Sequence, residues 1–275
     1  ANEDEMYIYM LEAIDVDSTD ELTFSASFLP DWLTLEDTGD GTPLISGTPT
    51  NDDVGDHSVD LSVSDGILTV DQEFTITVIN INDAPTIGLP DSFTFEEEAS
   101  LVVDFTPYIG DIDEDPLTLT VSGNEDVTVE IDGFEVTFGA VEDSNGTETL
   151  TFTVNDNQGR AIDSDNVEIV VIPVNDAPIA TDAAITPSLP SLQDDLILSY
   201  DYFDIDGDDE LGTTITWFNS GAEESEFANS LIIPASATSC EEEWYAEVTP
   251  NDGIVFGTQV ASNVVIICAE NTPPQ

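Results

Sequence analysis

Lysine is absent from these 275 residues, and arginine and histidine occur once each, as Arg160 and His57. Set against 60 aspartates and glutamates, they leave a formal charge of −59. A surface of that sign repels phosphate backbones and anionic lipid, which makes nucleic acid and anionic membrane poor partners. With one histidine and two cysteines, soft-metal sites are excluded. No nucleophile–base–orienter set can be assembled either, so the chain is expected not to be an enzyme. A carboxylate pair could serve glycoside hydrolysis, but among 60 candidates a pair carries no information. No apolar run approaches the roughly eighteen residues of a membrane span. There is no initiator methionine or leader, so Ala1 reads as a processed end or an excision point. Arg160 is expected to bridge locally to Asp163, and His57 to sit alone on the polar side of a strand.

What is abundant is acid, and at this density self-repulsion opposes any compact state unless cations or salt screen it. A high-salt habitat would select the same composition, and it does not exclude specific ion sites. The two cysteines, Cys240 and Cys268, flank a hairpin expected from Trp244–Val248 and Val260–Ile267 with its turn near Ile254, which places them opposite each other. A disulfide in an oxidising compartment is the favoured reading, with two reduced buried thiols as the alternative. Asn145-Gly146-Thr147 alone fits the N-glycosylation pattern, a match near chance in a chain this long.

The string Val78-Ile79-Asn80-Ile81-Asn82-Asp83-Ala84-Pro85 returns as Val171-Ile172-Pro173-Val174-Asn175-Asp176-Ala177-Pro178, and more weakly as Ala269-Glu270-Asn271-Thr272-Pro273-Pro274. Asn82 and Asn175 are 93 positions apart, Asn175 and Asn271 96, about one β-sandwich each. Three modules follow, residues 1–82, 83–175 and 176–275, joined by hinges that proline keeps extended and stiff. Period-two alternation marks strands. In the first module these are Met6–Ala13, Leu22–Ser27, Leu44–Ser46, the Val59/Leu61/Val63 strand and the Phe74/Ile76/Val78 strand. In the second they fall near Phe93–Glu96, Leu101–Phe105, Leu117–Val121, Val127–Ile131, Glu135–Phe138, Thr149–Val154 and Val167–Ile172. In the third they are Leu196–Tyr200, Thr214–Phe218, Leu231–Ile233 and the hairpin named above. Trp32 and Trp217 are expected in the core rather than on a ligand.

Leu29-Pro30-Asp31-Trp32-Leu33, then Ile45-Ser46-Gly47-Thr48-Pro49, then Asp53-Val54-Gly55 resemble the pattern of dystroglycan-type cadherin-like and Ig-type modules of cell-surface proteins. Thr149-Leu150-Thr151-Phe152-Thr153-Val154-Asn155-Asp156 resembles the tandem cadherin-like and Ig-like repeats of large bacterial or archaeal surface proteins. The implied fold is all-β: three Ig-like/cadherin-like β-sandwiches arranged end to end.

Acidic groups recur at equivalent places. Each module opens on one (Glu3 and Glu5; Glu96 and Glu97; Asp194 and Asp195). Each then carries a D-x-D (Asp15 and Asp17; Asp111 and Asp113; Asp204 and Asp206) and a late acidic turn (Asp65, Asp156, Asp252). In an extended loop residues i and i+2 face one side, so a D-x-D offers two carboxylates to one ion. In an Ig-like strand order the D-x-D and the late turn share the end facing the preceding hinge. The first junction is therefore expected to gather Glu3 or Glu5, Asn82, Asp83, Asp111, Asp113 and Asp156. The second should gather Glu96 or Glu97, Asn175, Asp176, Asp204, Asp206 and Asp252. All-oxygen sets of this kind suit Ca²⁺, with six to eight ligands, better than Mg²⁺. Ordinary Asp-rich turns explain one instance but not three.

The arrangement resembles cadherin repeats, whose linker, start-of-repeat glutamate, D-x-D and late aspartate bind calcium between domains. It departs from them at Asn80, Ala84, Pro173 and Ala177, and no counterpart of their DRE motif is found, so one or two ions per junction are expected rather than three. The resemblance implies an extracellular or cell-surface, calcium-stiffened structural or adhesive stalk or filament subunit. Its partners would be neighbouring repeats or, head-to-tail, a second copy. In the latter case Asp15, Asp17 and Asp65 would meet the Asn271–Gln275 tail; the rival is that the chain is one piece of a longer tandem. The alternative from another class is a carbohydrate-binding or accessory region of a large secreted enzyme or adhesin, with a glycan or surface ligand.

Overall fold

The computed structural model describes residues 1–16, 21–36, 43–159 and 162–268, and all of their regular structure is β apart from four single 3₁₀ turns. No helix among them is long and apolar enough to cross a membrane. Asp17, Arg160 and the tail from Ala269 lie outside the described residues, and with them the expectations placed there. Contacts gather the chain into two compact units. One holds Ala1–Phe95, Ser100–Gly139 and Thr147–Val170; the other holds Glu96–Ala99, Ala140–Gly146 and Val171 onward.

In the first unit, β1 (Tyr7–Met10), β2 (Thr23–Phe28), β3 (Thr34–Glu36), β4 (Leu44–Gly47), β5 (Gly55–Ser64) and β6 (Thr69–Val78) form two three-stranded sheets, β1-β4-β3 and β2-β5-β6. The alternation of β5 and β6 decides which face goes inward: Val59, Leu61, Ile76 and Val78 are buried. Leu11, Leu33 and Ile45 complete the core, with Trp32 packed at its edge. Strand β3 was not expected, because Thr34-Leu35-Glu36 is too short to show a period.

The same unit holds all of β7 (Thr86–Ile87), β9 (Ser100–Asp104), β10 (Ile109–Gly110), β11 (Thr118–Ser122) and β12 (Val127–Asp132), and all but the end residues Glu96, Ala140, Gly146, Val171 and Ile172 of β8 (Ser92–Glu96), β13 (Glu135–Ala140), β14 (Gly146–Asn155) and β15 (Ile162–Ile172). They pair as β11-β14-β15-β8, β12-β13-β9 and β10-β7. Phe105, Phe138 and Phe152 are fully buried between them, Phe105 and Phe152 with ring centroids 4.9 Å apart. Each such ring contributes about 1.5–3 kcal/mol relative to exposure.

The second unit carries β16 (Ile179–Thr186), β17 (Leu196–Phe203), β18 (Thr214–Asn219), β19 (Ala222–Glu223), β20 (Ile232–Ile233), β21 (Glu243–Thr249), β22 (Val260–Ala261) and β23 (Val265–Ile266). The sheets are β16-β17-β20 and β19-β18-β21-β22, with β23 also on β21. Trp217 is buried, its indole N–H donating to Ser230 O at 2.8 Å.

Two strand expectations need correction here. The eight-residue β16 was missed because alanine, threonine and aspartate mask its alternation. The expected Val260–Ile267 strand is broken into β22 and β23. Val248 pairs Val260 as the hairpin predicts, but the register slips by one so that Trp244 pairs Val265. Cys240 and Cys268 are joined as a disulfide.

Candidate metal centres

Glu3 anchors the first linker. It is buried, its backbone N–H donates to Ile79 O at 3.1 Å, and its Oε1 accepts the N–H of Ile81. Asn82 Nδ2 reaches forward to Asp156 Oδ2 at 2.7 Å, and Asp83 N–H donates to Asp113 Oδ2 at 2.6 Å. The D-x-D is a turn rather than an extended loop. Asp111 Oδ1 accepts the N–H groups of Asp113 (2.9 Å) and Asp115 (3.3 Å), winding the backbone around its own carboxylate.

Convergence follows from that winding. The carboxylate oxygens of Glu3, Asp83 and Asp113 lie within 4.8 Å of one another, as do those of Asp111, Asp113 and Asp115. Glu3 Oε2, Asp111 Oδ2 and Asp113 Oδ1 are buried with no hydrogen-bond partner. Lost hydration, then the charges of Asp113, Asp4 and Asp111, push the Asp83 carboxyl above the usual aspartate value. Asp156 goes the other way, held down by the Asn82 side chain and the Gln158 N–H.

The second centre lies wholly within the second unit and repeats this pattern. Glu97 is buried, its N–H donates to Ile172 O at 3.0 Å, and its Oε1 accepts from Val174 N at 2.7 Å. Asn175 Nδ2 meets Asp252 Oδ2 at 2.9 Å, and Asp176 N–H meets Asp206 Oδ2 at 2.7 Å. Asp204 Oδ1 accepts from Asp206 (2.9 Å) and Asp208 (3.3 Å). Asp204 Oδ2 and Asn175 Oδ1 are left buried and unpartnered.

Lost hydration, then the charges of Asp143, Asp206, Glu97 and Asp204, raise Asp176; lost hydration, then Asp204 and Asp206, raise Asp208. For Asp252 lost hydration raises the pKa, but hydrogen bonds from Val255, Asn175 and Ile254 together outweigh it and hold the group low. A cavity of about 480 Å³ opens here, lined by Asp143, Asn145, Asn175, Asp206 and Asp208 among others.

Of the paired alternatives, Glu3 and Glu97 are drawn in. Glu5 instead accepts from Asn2 at 2.9 Å, and Glu96 is exposed on β8. Asp65 accepts the N–H groups of Ile67 (2.7 Å) and Leu68 (2.6 Å), the same turn that Asp252 makes with Ile254 and Val255. Asp15 is half-buried in the loop after β1. Four residues were not anticipated. Asp115 and Asp208 carried a readable signal, since both strings continue as D-x-D-x-D. Asp143 and Asn145 carried none, lying in the turn between β13 and β14 outside every repeated string.

An oxygen-only donor set with buried, unpartnered carboxylate oxygens fits a hard divalent cation. The chain cannot supply the neutralising charge itself, having one arginine and no lysine.

Residues 82–170 match the family model described as "Bacterial Ig domain", and residues 1–79 the one described as "Putative Ig domain". No curated protein matches the chain. Among solved structures, the protocadherin gamma B2 extracellular cadherin domains 1–5 are similar over 92% of this chain and 54% of that one, at 12% identity and a TM-score of 0.57. Drosophila N-cadherin domains 1–4 align over 94% and 69%, at 16% identity and 0.40. An endo-fucoidan hydrolase of glycoside hydrolase family 107 aligns over 96% and 42%, at 18% identity and 0.32. The chain thus spans about half the length of the protocadherin structure and less of the hydrolase. At 12% identity the likeness to the protocadherin domains is one of fold.

Proposed function

We propose that this chain, a tandem of Ig-like and cadherin-like repeats, is part of an extracellular structural or adhesive stalk whose junctions are stiffened by calcium. The observation that carries the reading is the set of buried carboxylate oxygens left without partners at Glu3, Asp111 and Asp113, echoed at Asp204. Leaving such groups bare in a folded protein is costly, and a bound cation removes the cost.

Glu3, Asp83, Asp111, Asp113 and Asp115 would hold the ion at the first centre. Glu97, Asp176, Asp204, Asp206 and Asp208 would do so at the second. The cation supplies charge neutralisation; the chain's own hydrogen bonds, from linker amides to Glu3, Glu97, Asp113 and Asp206, set each hinge against the next module. A linker locked in this way is stiff rather than flexible. Extracellular modules bind calcium at about 10⁻⁴–10⁻³ M, so ambient calcium would set the stiffness. The disulfide supports an oxidising compartment. Neighbouring repeats of the same polypeptide, or further copies, are the partners such a stalk calls for.

The test is small-angle scattering and calorimetry of the full chain in calcium and in chelator. Chelation is expected to lower the melting temperature and broaden the distance distribution. Identical profiles and melting curves in both would overturn the reading.

A further inference from the structure

Among the differences between the two centres, one lies at the second carboxylate oxygen of the buried glutamate. Glu3 and Glu97 each give Oε1 to a linker amide, that of Ile81 and that of Val174. Glu3 Oε2 is then buried with no partner, whereas Glu97 Oε2 accepts from Asn145 Nδ2 at 3.3 Å. The fold identifies the counterpart of Asn145 in the first module. Gly55 and Gly146 open β5 and β14 with φ of +125° and +126°, and the strands run in step from there to Asp65 and Asp156. The residue before Gly55 is Val54, which has no side-chain amide to offer. Among the described residues, the mutually close carboxylate trios occur at the first centre, where Glu3 is open, and not at the second.

We propose that Asn145 is a built-in competitor for the cation at Glu97. Its amide satisfies the carboxylate oxygen that the first centre leaves open, and an ion entering the second centre must displace it. Asn145 is exposed, so its side chain is free to swing out into water. The second centre therefore loads at higher calcium than the first, and the chain stiffens in two steps. This rests on the calcium reading above.

The experiment is calorimetric titration of the full chain with calcium. The unmodified chain is expected to show two classes of site, with Glu97→Gln abolishing the weaker one and so assigning it. Asn145→Val, which copies the first centre, is expected to tighten the weaker class on the order of threefold to tenfold, the range of one ordinary net hydrogen bond. Asn145→Ser, unable to span the same gap, is expected to do the same, and guards against a packing effect of valine. Val54→Asn is expected to weaken the stronger class. An unchanged weak class in both Asn145 variants overturns the proposal, as does a single class in the unmodified chain. Weaker binding in those variants also overturns it, by making Asn145 a ligand. No calcium binding at all would sink the calcium reading itself.

Discussion

Asn82 and Asp156 are 74 residues apart and joined side chain to side chain at 2.7 Å; Asn175 and Asp252, 77 apart, repeat the bond at 2.9 Å. In both pairs the asparagine also donates to the carbonyl of the next linker residue, at 2.9 Å in Asp83 and 2.8 Å in Asp176. The asparagine thus fixes the late aspartate and the linker backbone at once. Asn82→Ala should remove that positioning without removing a carboxylate. By the scale of losses seen when partners of metal ligands are deleted, calcium affinity at the first centre should fall about 10- to 100-fold. The second centre should be unchanged, and calorimetric titration separates the two.

The response to acid should reverse with calcium. Asp83, Asp176 and Asp208 are raised in the folded chain, so each favours the folded state at low pH and loses that contribution as pH rises through its raised value. Asp156 and Asp252 are lowered, so their contribution is present above the ordinary aspartate value and is lost as pH falls through the lowered one. In chelator, acidification from neutral pH should first raise the melting temperature and then, below about pH 4, lower it. In saturating calcium the proton competes with the ion, and the melting temperature should only fall. Asp83→Asn/Asp176→Asn should raise the chelator melting temperature at neutral pH and flatten the first limb. Calorimetry across pH checks all three.

What could be read from the sequence was whatever repeats. Asn82 and Asn175, the two D-x-D pairs, and Asp156 and Asp252 stand at matching positions, and the fold brings each set together. The period could not choose between Glu3 and Glu5. That choice depends on which residue meets Ile79 and Ile81, a pairing 76 to 78 residues away. Asn145 was illegible for a related reason: its counterpart, Val54, breaks the pattern. Among strands, β5 and β14 announce themselves by alternation. Strand β16 does not, since Ala180, Ala183 and Ala184 bury too little to mark a face.

Cys268 packs on the core that holds Trp217 and Trp244, and its N–H donates to Pro190 O at 2.8 Å. The disulfide closes a loop across a sequence separation of 28, for which chain entropy gives roughly 3–4 kcal/mol. Cys240→Ser/Cys268→Ser should lower the second unit's stability by that amount. The three tryptophans divide between the units, so fluorescence can report each one separately. In denaturant the Trp217 and Trp244 transition should move to lower midpoint while the Trp32 transition stays.

Gly47 explains why two motifs of the first module occur together. A Cβ on Gly47 would lie 1.8 Å from the carbonyl oxygen of Trp32 and 3.3 Å from Leu33 Cα. The Ile45-Ser46-Gly47 stretch is therefore the floor over which the Pro30-Asp31-Trp32-Leu33 backbone passes. That crossing seats Leu33 in the core beside Ile45 and sets the Trp32 ring edge-on to Tyr7 (6.0 Å) and His57 (5.9 Å). The obstruction is backbone, which cannot turn aside as a side chain would. Gly47→Ala should thus cost at least the upper end of the ~1–3 kcal/mol typical of overpacking. It should also shift the Trp32 emission as the ring loses its seat. Gly88→Ala is the matched control: no atom lies within 4 Å of its added methyl, and its φ is not left-handed. That substitution should stay within about 0.5 kcal/mol of the parent. Equal denaturation midpoints for the two variants would refute the close crossing at Trp32.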